Sequence, residues 1–265
     1  MRGSNWPTAV LASAFGPQHD SRKLHMAVCV GYLEANAHHT PDTLTVIGLV
    51  SPKARWQAFE ERWPHALHAE RLTAFSGRDF IQQTGEFMQG WPGDRRARLV
   101  AALSRVASES AILGVSYSLR LADYKAAARK FLLAEGPPSP YAVCAGVAMS
   151  RILRWMMRAR AEDVTLCVFE DGGIDHHQVR QVAAAEGIDH GEPVQIWPRE
   201  WRDERDRRRL LRPLEACDLL MPGCGADLTD RLMRRSAWDQ EQLDRDRLVQ
   251  IFDSLTETEP AADRV

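Results

Sequence analysis

An unbroken apolar run at residues 164–169, VTLCVF, restricts the fold more than any other feature of the chain. A strand that is apolar at every position is typical of the middle of a sheet that helices cover on both faces. Two further strands are predicted at 23–34 and 43–50, and we expect them to form a long-looped hairpin, since antiparallel neighbours need only a short connection. Because strands alternate with helices after the hairpin, we expect an α/β fold with a mixed sheet flanked by helices.

Helical spacing accounts for most of the remaining chain. Trp56, Phe59, Trp63 and Leu67 recur every three to four residues, which predicts a core-packing stripe on a helix that begins near Pro52. Further helices are predicted at 79–89, 94–109, 122–134, 141–160, 175–187, 214–220 and 227–255, and further strands at 110–119 and 193–197. We expect an irregular extension at 1–22, a single domain over 23–255 and a mobile tail at 256–265.

Composition and missing motifs exclude several classes of protein. A net charge of −2 argues against a chain whose whole surface binds polyanions, and no apolar run is long enough to span a membrane. The five cysteines form no CxxC pair, which disfavours a zinc ribbon or a disulfide framework and favours a reducing cytoplasm. The GxxxxGK[ST] and GxGxxG patterns are absent, so P-loop motors and Rossmann dehydrogenases are disfavoured.

A few acids occupy positions that suit a metal site. Glu34 ends the first strand, Glu170 and Asp171 directly follow the strand at 164–169, and Asp218 lies in an otherwise apolar helix. If the first and fourth strands are neighbours, Glu34 and Glu170 converge at one edge of the sheet, where the helix with Asp218 can pack across them. Carboxylates without His or Cys favour Mg²⁺ or Mn²⁺. The structural alternatives are a solvated strand end for Glu34 and a cap or an arginine partner for Asp218.

An ordered set of short motifs resembles a bacterial family. The motifs are GYLEANAHH at 31–39, a Trp-x-x-Phe-x-x-x-Trp helix at 56–63, AFSGRDF at 74–80, GWPGDRR at 90–96, FEDGG at 169–173 and PLEACDLL at 213–220. From about residue 26 to about residue 235 their order and spacing resemble the family called domain of unknown function 3800. Members of that family begin with a strand that ends in Asp-Glu-Ser-Gly, and they carry a later Pro-Leu-Gln-Ala-Ala-Asp-Leu-Leu helix.

The resemblance implies an RNase H-like fold with extra helical insertions and a metal-dependent nuclease. It implies that Glu34, Glu170 and Asp218 bind Mg²⁺ or Mn²⁺ and that Asp171 assists them in catalysis. It also implies substrate-binding roles for His39, which matches a loop histidine often seen in the family, and for Asp79. Nucleic acid is therefore the expected substrate.

The first acidic motif departs from the family pattern. Residues 34–37 read Glu-Ala-Asn-Ala, so the first acid is one methylene longer and the second acid is absent, and Ser76 replaces a histidine of the family. Mg²⁺ demands tight octahedral geometry, so this change weakens the predicted site. A second hypothesis follows: a catalytically silent RNase H-like module that contacts nucleic acid or a protein partner.

An arginine-rich segment at 199–212 is the predicted contact with nucleic acid. It holds seven arginines and four acids. The guanidinium group matches the geometry of phosphate oxygens, so Arg207, Arg208 and Arg209 are expected to bind the phosphate backbone.

Overall fold

The computed structural model of the protein describes residues 29–36, 42–88, 91–131, 136–158, 165–169, 176–188, 194–197, 212–220, 224 and 237–258. For the strands at 29–36, 165–169 and 194–197 it describes the backbone. The predicted extension at 1–22 lies outside the described residues, as do the first six residues of the predicted strand at 23–34.

The strands of the described chain form one mixed sheet. They are β1 (Cys29–Asn36), β2 (Thr43–Pro52), β3 (Leu113–Arg120), β4 (Thr165–Phe169), β5 (Val194–Trp197) and β6 (Ala237–Leu243). Their order across the sheet is β5-β4-β1-β2-β3-β6. Strands β1, β2 and β3 are antiparallel neighbours, β4 and β5 continue the sheet parallel to β1, and β6 runs parallel to β3. The predicted hairpin and the mixed character of the sheet are confirmed.

Helices fill the connections between the strands. They are α1 (Lys53–Ala69), α2 (Gly77–Gln82), α3 (Gly93–Ser110), α4 (Leu121–Ala128), α5 (Pro140–Arg158), α6 (His176–Ala185), α7 (212–218) and α8 (Arg245–Thr258). The helix predicted at 79–89 is interrupted, because Gln83 and Gly85 both adopt a left-handed φ of 55° before a 3₁₀ turn at Gly85–Phe87. Within the described residues, no helix is both long enough and apolar enough to cross a membrane.

Strand β2 is buried on both faces of the sheet, with a hydrophobic core on each side. The first core joins β2 to α1, α2, α3 and α7, and includes Ile47, Leu49, Trp56, Phe59, Trp63, Phe75, Phe80, Leu99, Leu214 and Cys217. The second core joins β2 and β3 to α4, α5, α6 and α8, and includes Val46, Tyr117, Val147, Val182 and Phe252. Strand β2 contributes Ile47 to one core and Val46 to the other, as alternation along a strand requires.

The aromatic stripe of α1 is the centre of the first core. Trp56, Phe59 and Trp63 are fully buried, with ring centroids 5.1 Å apart for the first pair and 4.9 Å apart for the second. Burying a large apolar side chain contributes about 1.5–3 kcal/mol, and aromatic pairs at these separations add about 0.5–1.5 kcal/mol. The predicted core role of this stripe is confirmed.

Strand β6 corrects the sequence prediction, which gave a helix over 227–255. Residues 237–243 read AWDQEQL, a polar composition that suits an exposed helix as well as an edge strand. Parallel pairing with β3 overrides the local preference, and Trp238 packs over Gly114 of that strand, where a Cβ would lie 2.1 Å from the indole. The helix that follows runs to Thr258, three residues into the predicted tail, and 259–265 lie outside the described residues.

The contact between α5 and α6 is close enough to require glycine at position 146. An added Cβ there would lie 2.6 Å from Cβ of Val182 and 2.8 Å from the carbonyl oxygen of Val179. We therefore expect Gly146→Ala to lower the free energy of unfolding, measured by urea denaturation, by about 1–3 kcal/mol, the usual cost of overpacking a filled core. Gly93→Ala is the control, because nothing lies within 4 Å of a Cβ at that position. It should stay within about 0.5 kcal/mol of wild type. Equal effects of the two changes would contradict the close helix contact.

Candidate functional site

Strand β4 ends beside Leu33 of β1, three residues before β1 itself ends at Asn36, so Glu34 lies within β1 and not at its end as predicted. In the parallel register Leu33 pairs with Phe169, and the residues that follow them in the sequence are Glu34 and Glu170. The predicted convergence of these two acids required β1 and β4 to be neighbours, and they are. Glu34 is described by its backbone, while Glu170 and Asp171 lie outside the described residues.

Asp218 is the predicted metal ligand whose side chain is described. Helix α7 packs into the first core through Leu214, Ala216 and Cys217, and Asp218 at its end is 9% exposed. The backbone N–H of Gly77 donates a hydrogen bond of 2.9 Å to Oδ2 of Asp218. The carboxylate is therefore held by the segment that leads into α2, which satisfies part of its need for partners in a buried setting.

Glu215, on the same helix, is an acid of this site that the sequence analysis missed. Its Oε2 accepts hydrogen bonds from the indole Nε1 of Trp63 at 2.8 Å and from the backbone N–H of Phe75 at 3.1 Å. Burial raises the pKa of Glu215 to about 7, against the opposing effect of those two hydrogen bonds and of Arg212, and nearby Asp218 raises it slightly further. One feature of the sequence could have identified it: Glu215 and Asp218 have i, i+3 spacing, which puts two acids on one side of an apolar helix.

A third carboxylate holds the same segment at its other end. Glu86 accepts from the backbone N–H of Thr73 at 3.0 Å and from the hydroxyl of Thr73 at 2.9 Å. We call Glu86, Glu215 and Asp218 the carboxylate clamp, because together they bind backbone N–H groups along residues 73–77. Backbone N–H groups that have no helix or strand partner need such acceptors when they are buried.

Ser76 and Asp79 have local structural roles next to the clamp. The Ser76 hydroxyl accepts from the backbone N–H of Asp79 at 3.2 Å and so caps the N-terminus of α2. Oδ1 of Asp79 accepts from the hydroxyl of Thr84 at 2.7 Å, which closes the turn after that helix. The predicted substrate-binding Asp79 therefore lies two residues from Gly77, with one oxygen used by the turn.

Arg96 supplies positive charge close to the clamp. Its guanidinium lies 4.0 Å from the ring centre of Phe80, and Nη2 donates to the carbonyl oxygen of Phe80 at 2.7 Å. The Cys224 thiol donates to the carbonyl oxygen of Gly77 at 3.5 Å. Burial raises the pKa of this thiol to about 12, with Asp218 raising it further and Arg96 lowering it, so an anion and a cation both act on Cys224.

The described side chains alone do not form a metal centre. Among them, no group of three His, Cys, Asp or Glu residues comes close enough to bind a metal ion. The donor set predicted for Mg²⁺ or Mn²⁺ includes the Glu34 side chain and Glu170, and neither is among the described side chains. His39, Arg207, Arg208 and Arg209 also lie outside the described residues. A carboxylate has about four acceptor positions, so the hydrogen bond from Gly77 is compatible with a metal on Asp218.

Comparison with known proteins adds no relative: no family model, no curated protein and no solved structure matches the chain. The resemblance to domain of unknown function 3800 stays a prediction from short motifs.

The raised pKa of Glu215 makes a prediction about stability. Its value of about 7 lies above the ordinary value of 4.5, so the folded protein binds this proton more tightly than the unfolded chain does. The proton on Glu215 makes its full contribution to stability below pH about 4.5, and this contribution is lost as the pH rises through about 7. Gln at position 215 keeps an oxygen acceptor for both N–H groups and does not titrate. In urea denaturation, we expect Glu215→Gln to gain free energy of unfolding relative to wild type as the pH rises from about 5 to 8.

The control for this measurement is Glu61→Gln, which neutralises an exposed glutamate on α1. Its difference from wild type should stay constant over the same pH range. A constant difference for Glu215→Gln as well would show that the Glu215 proton is not linked to folding.

Proposed function

We propose that the protein is a Mg²⁺- or Mn²⁺-dependent hydrolase of phosphodiester bonds in nucleic acid, built on an RNase H-like fold. The observation that carries the proposal is the register of β1 and β4. It sets Leu33 beside Phe169, the last residue of β4, so the next residues along the two chains are Glu34, within β1, and Glu170. Functional residues of α/β sheets gather at such strand ends.

The order of the strands supports the RNase H-like assignment. An RNase H-like sheet has three antiparallel strands in succession, followed by two strands that join on the far side of the first strand and parallel to it. Strands β1 to β5 have this order and these directions. Strand β6, at the other edge, is an addition to that pattern.

The position of α7 supports the inclusion of Asp218. Glu34 pairs across the hairpin with Ile47, whose side chain belongs to the first core. Directly opposed residues of antiparallel strands share a face of the sheet, so position 34 is on the face that α7 covers. Position 34 and Asp218 are therefore on the same side of the sheet, as a shared site requires.

The proposed metal ligands are Glu34, Glu170 and Asp218, with Asp171 as a helper. A bound Mg²⁺ or Mn²⁺ supplies an activated water and neutralises charge on the phosphate. The chain's own contribution is to hold the acids: the β1–β4 pairing sets the strand ends, and the Gly77 amide fixes Oδ2 of Asp218 at 2.9 Å. His39 and Asp79 are the proposed substrate contacts.

One observation favours the second candidate, a catalytically silent module on the same fold. The described contacts of Asp218 and Asp79 are structural, since one oxygen of each accepts a hydrogen bond from the surrounding chain. In this version of the proposal the acids maintain segment 73–77, and Arg207, Arg208 and Arg209 bind the phosphate backbone or a protein partner.

Substitutions of the acidic side chains distinguish the nuclease from the silent module. With labelled single- and double-stranded DNA and RNA, we expect Mn²⁺-dependent cleavage that a chelator abolishes. Asp218→Asn and Glu34→Ala should lower the cleavage rate at least about a hundredfold, the loss expected when a group that orients the reaction is misplaced or removed. Glu34→Asp, which restores the shorter acid of the family motif, should raise the rate. Asp253→Asn, an exposed acid on α8 on the other side of the sheet, should leave it unchanged.

Two outcomes would contradict the enzyme. Cleavage that persists in Asp218→Asn would point to another site or to a contaminating nuclease. Absence of cleavage by both wild type and Glu34→Asp, together with salt-sensitive binding of nucleic acid, would favour the silent module.

Binding tests the arginine segment independently of cleavage. Replacing Arg207, Arg208 and Arg209 by glutamine should weaken binding of nucleic acid, because each phosphate contact releases counterions. The slope of log K against log salt should become less negative by about 2–3, close to 0.7–0.9 for each lost contact. Exposed Arg105, Arg129 and Arg180, replaced together, give a control with the same change of net charge. An equal loss in the control would mean that binding follows net charge alone.

A further inference from the structure

Glu215 connects three parts of the first core through one oxygen atom. Its Oε2 accepts from Trp63 on α1 and from the backbone of Phe75 in segment 73–77, while the residue itself is on α7. Trp63 is fully buried, and the Phe75 ring packs 5.5 Å from the ring of Phe80. The oxygen therefore lies between groups that have little freedom to move.

Two hydrogen bonds join the same two pieces of chain side by side. Glu215 and Asp218 are three residues apart on α7, and their partners, Phe75 and Gly77, are two residues apart in the segment. Because both bonds link the segment to the same helix, the position of the Gly77 N–H depends on how firmly Phe75 is held.

We propose that Glu215 is a positioning residue, which fixes segment 73–77 so that the Gly77 amide holds the Asp218 carboxylate in one orientation. The coupling between Glu215 and Gly77 follows from the hydrogen bonds alone. Its consequence for catalysis rests on the proposed function of Asp218.

The charge of Glu215 supports this role. The groups that act on it are the Trp63 indole, the Phe75 amide, Arg212 and Asp218. An ionised carboxylate accepts stronger hydrogen bonds than a protonated one does, so the link to Phe75 strengthens as the pH rises through about 7, the pKa of this buried group. A neutral Gln at this position keeps an oxygen acceptor at all pH values.

Amide hydrogen exchange on the full chain tests the coupling without any assay of activity. In Glu215→Ala, we expect the protection of both the Phe75 and the Gly77 amides to fall about tenfold or more, the size of effect that one lost hydrogen bond produces. In Glu215→Gln, the protection of both amides should stay within about threefold of wild type. The exchange rates of both amides should change with pH only as the intrinsic exchange rate does.

Glu86→Ala is the matched control. It removes another carboxylate of the clamp, which binds Thr73 and Ala74 at the other end of the segment. Protection should fall at Thr73 and Ala74 and remain at Gly77. If Glu215→Ala does not fold, Glu215→Asp serves instead, because the shorter side chain keeps the charge but does not reach both donors.

Two results of the exchange experiment would overturn the proposal. One is unchanged protection of Gly77 when Glu215 is changed to Ala or Asp. The other is an equal loss at Gly77 in Glu86→Ala, which would mean that any carboxylate of the clamp holds the whole segment.

Measurements of kcat and KM distinguish a failure of the positioning role of Glu215 from a failure of the proposed function. Where wild type cleaves, Glu215→Ala should lower kcat by about a hundredfold with little change in KM, since a misplacement of about 1 Å has that effect. Glu215→Gln should restore most of kcat, because Gln keeps an oxygen acceptor for the N–H groups of Trp63 and Phe75. An unchanged kcat in Glu215→Ala would contradict the positioning role. If wild type does not cleave, the proposed function is wrong, and the exchange experiment alone decides whether Glu215 positions Asp218.

Discussion

The parallel pairing of β1 with β4 is the constraint on which the rest of the structure depends. Parallel neighbours need a long crossover connection, and here the crossover contains α1 to α5 together with β2 and β3. Those helices pack on both faces of the sheet, so β2 carries apolar side chains in both directions. Strand β2 contributes to both cores, and a shift of its register by one residue would exchange Ile47 with Val46 between them. Burial on both faces therefore fixes the register, and the register fixes which residues meet at the strand ends.

The same burial explains why acids occur in the first core. Phe75 lies in a segment that is neither helix nor strand, and Gly77 is the first residue of α2. Both residues are buried, and their N–H groups need acceptors that the backbone does not supply. Carboxylates of α7 provide them, and charge-assisted hydrogen bonds are stronger than neutral ones. The cost is desolvation, which is visible in the raised pKa of Glu215. An acid in an apolar helix, which suggests a metal ligand when the sequence is considered alone, thus also has a structural explanation.

Features with strong periodicity could be predicted from the sequence, and features set by distant contacts could not. The spacing of Trp56, Phe59 and Trp63 and the apolar run at 164–169 specify their elements locally, and α1 and β4 occur where they were expected. Strand β6 was missed because its pairing with β3 lies far away in the sequence, while AWDQEQL has no strand pattern of its own. Glu215 was missed for a similar reason. Its partners, Trp63 and Phe75, are remote in the chain, and its i, i+3 spacing from Asp218 is the one local feature that distinguishes it from a solvated glutamate.

Both candidate functions use the same fold, and the length of the Glu34 side chain is what distinguishes them. The pairing of Glu34 with Ile47 on one side, and the β1–β4 pairing that ends at Leu33 on the other, fix the backbone at and just before Glu34. The strand cannot slide to absorb the extra methylene that Glu has over the Asp of the family motif, because a slip would turn every side chain of β1 to the opposite face.

Asp218 cannot easily approach instead, since the Gly77 amide holds its Oδ2 and the apolar side of α7 is packed in the first core. In the proposed metal site, Glu34 and the bound ion would have to absorb the difference. Mg²⁺, with its strict octahedral geometry, tolerates such a displacement poorly. Whether the framework supports catalysis is therefore a question about the reach of Glu34, and the fold is the same in either case.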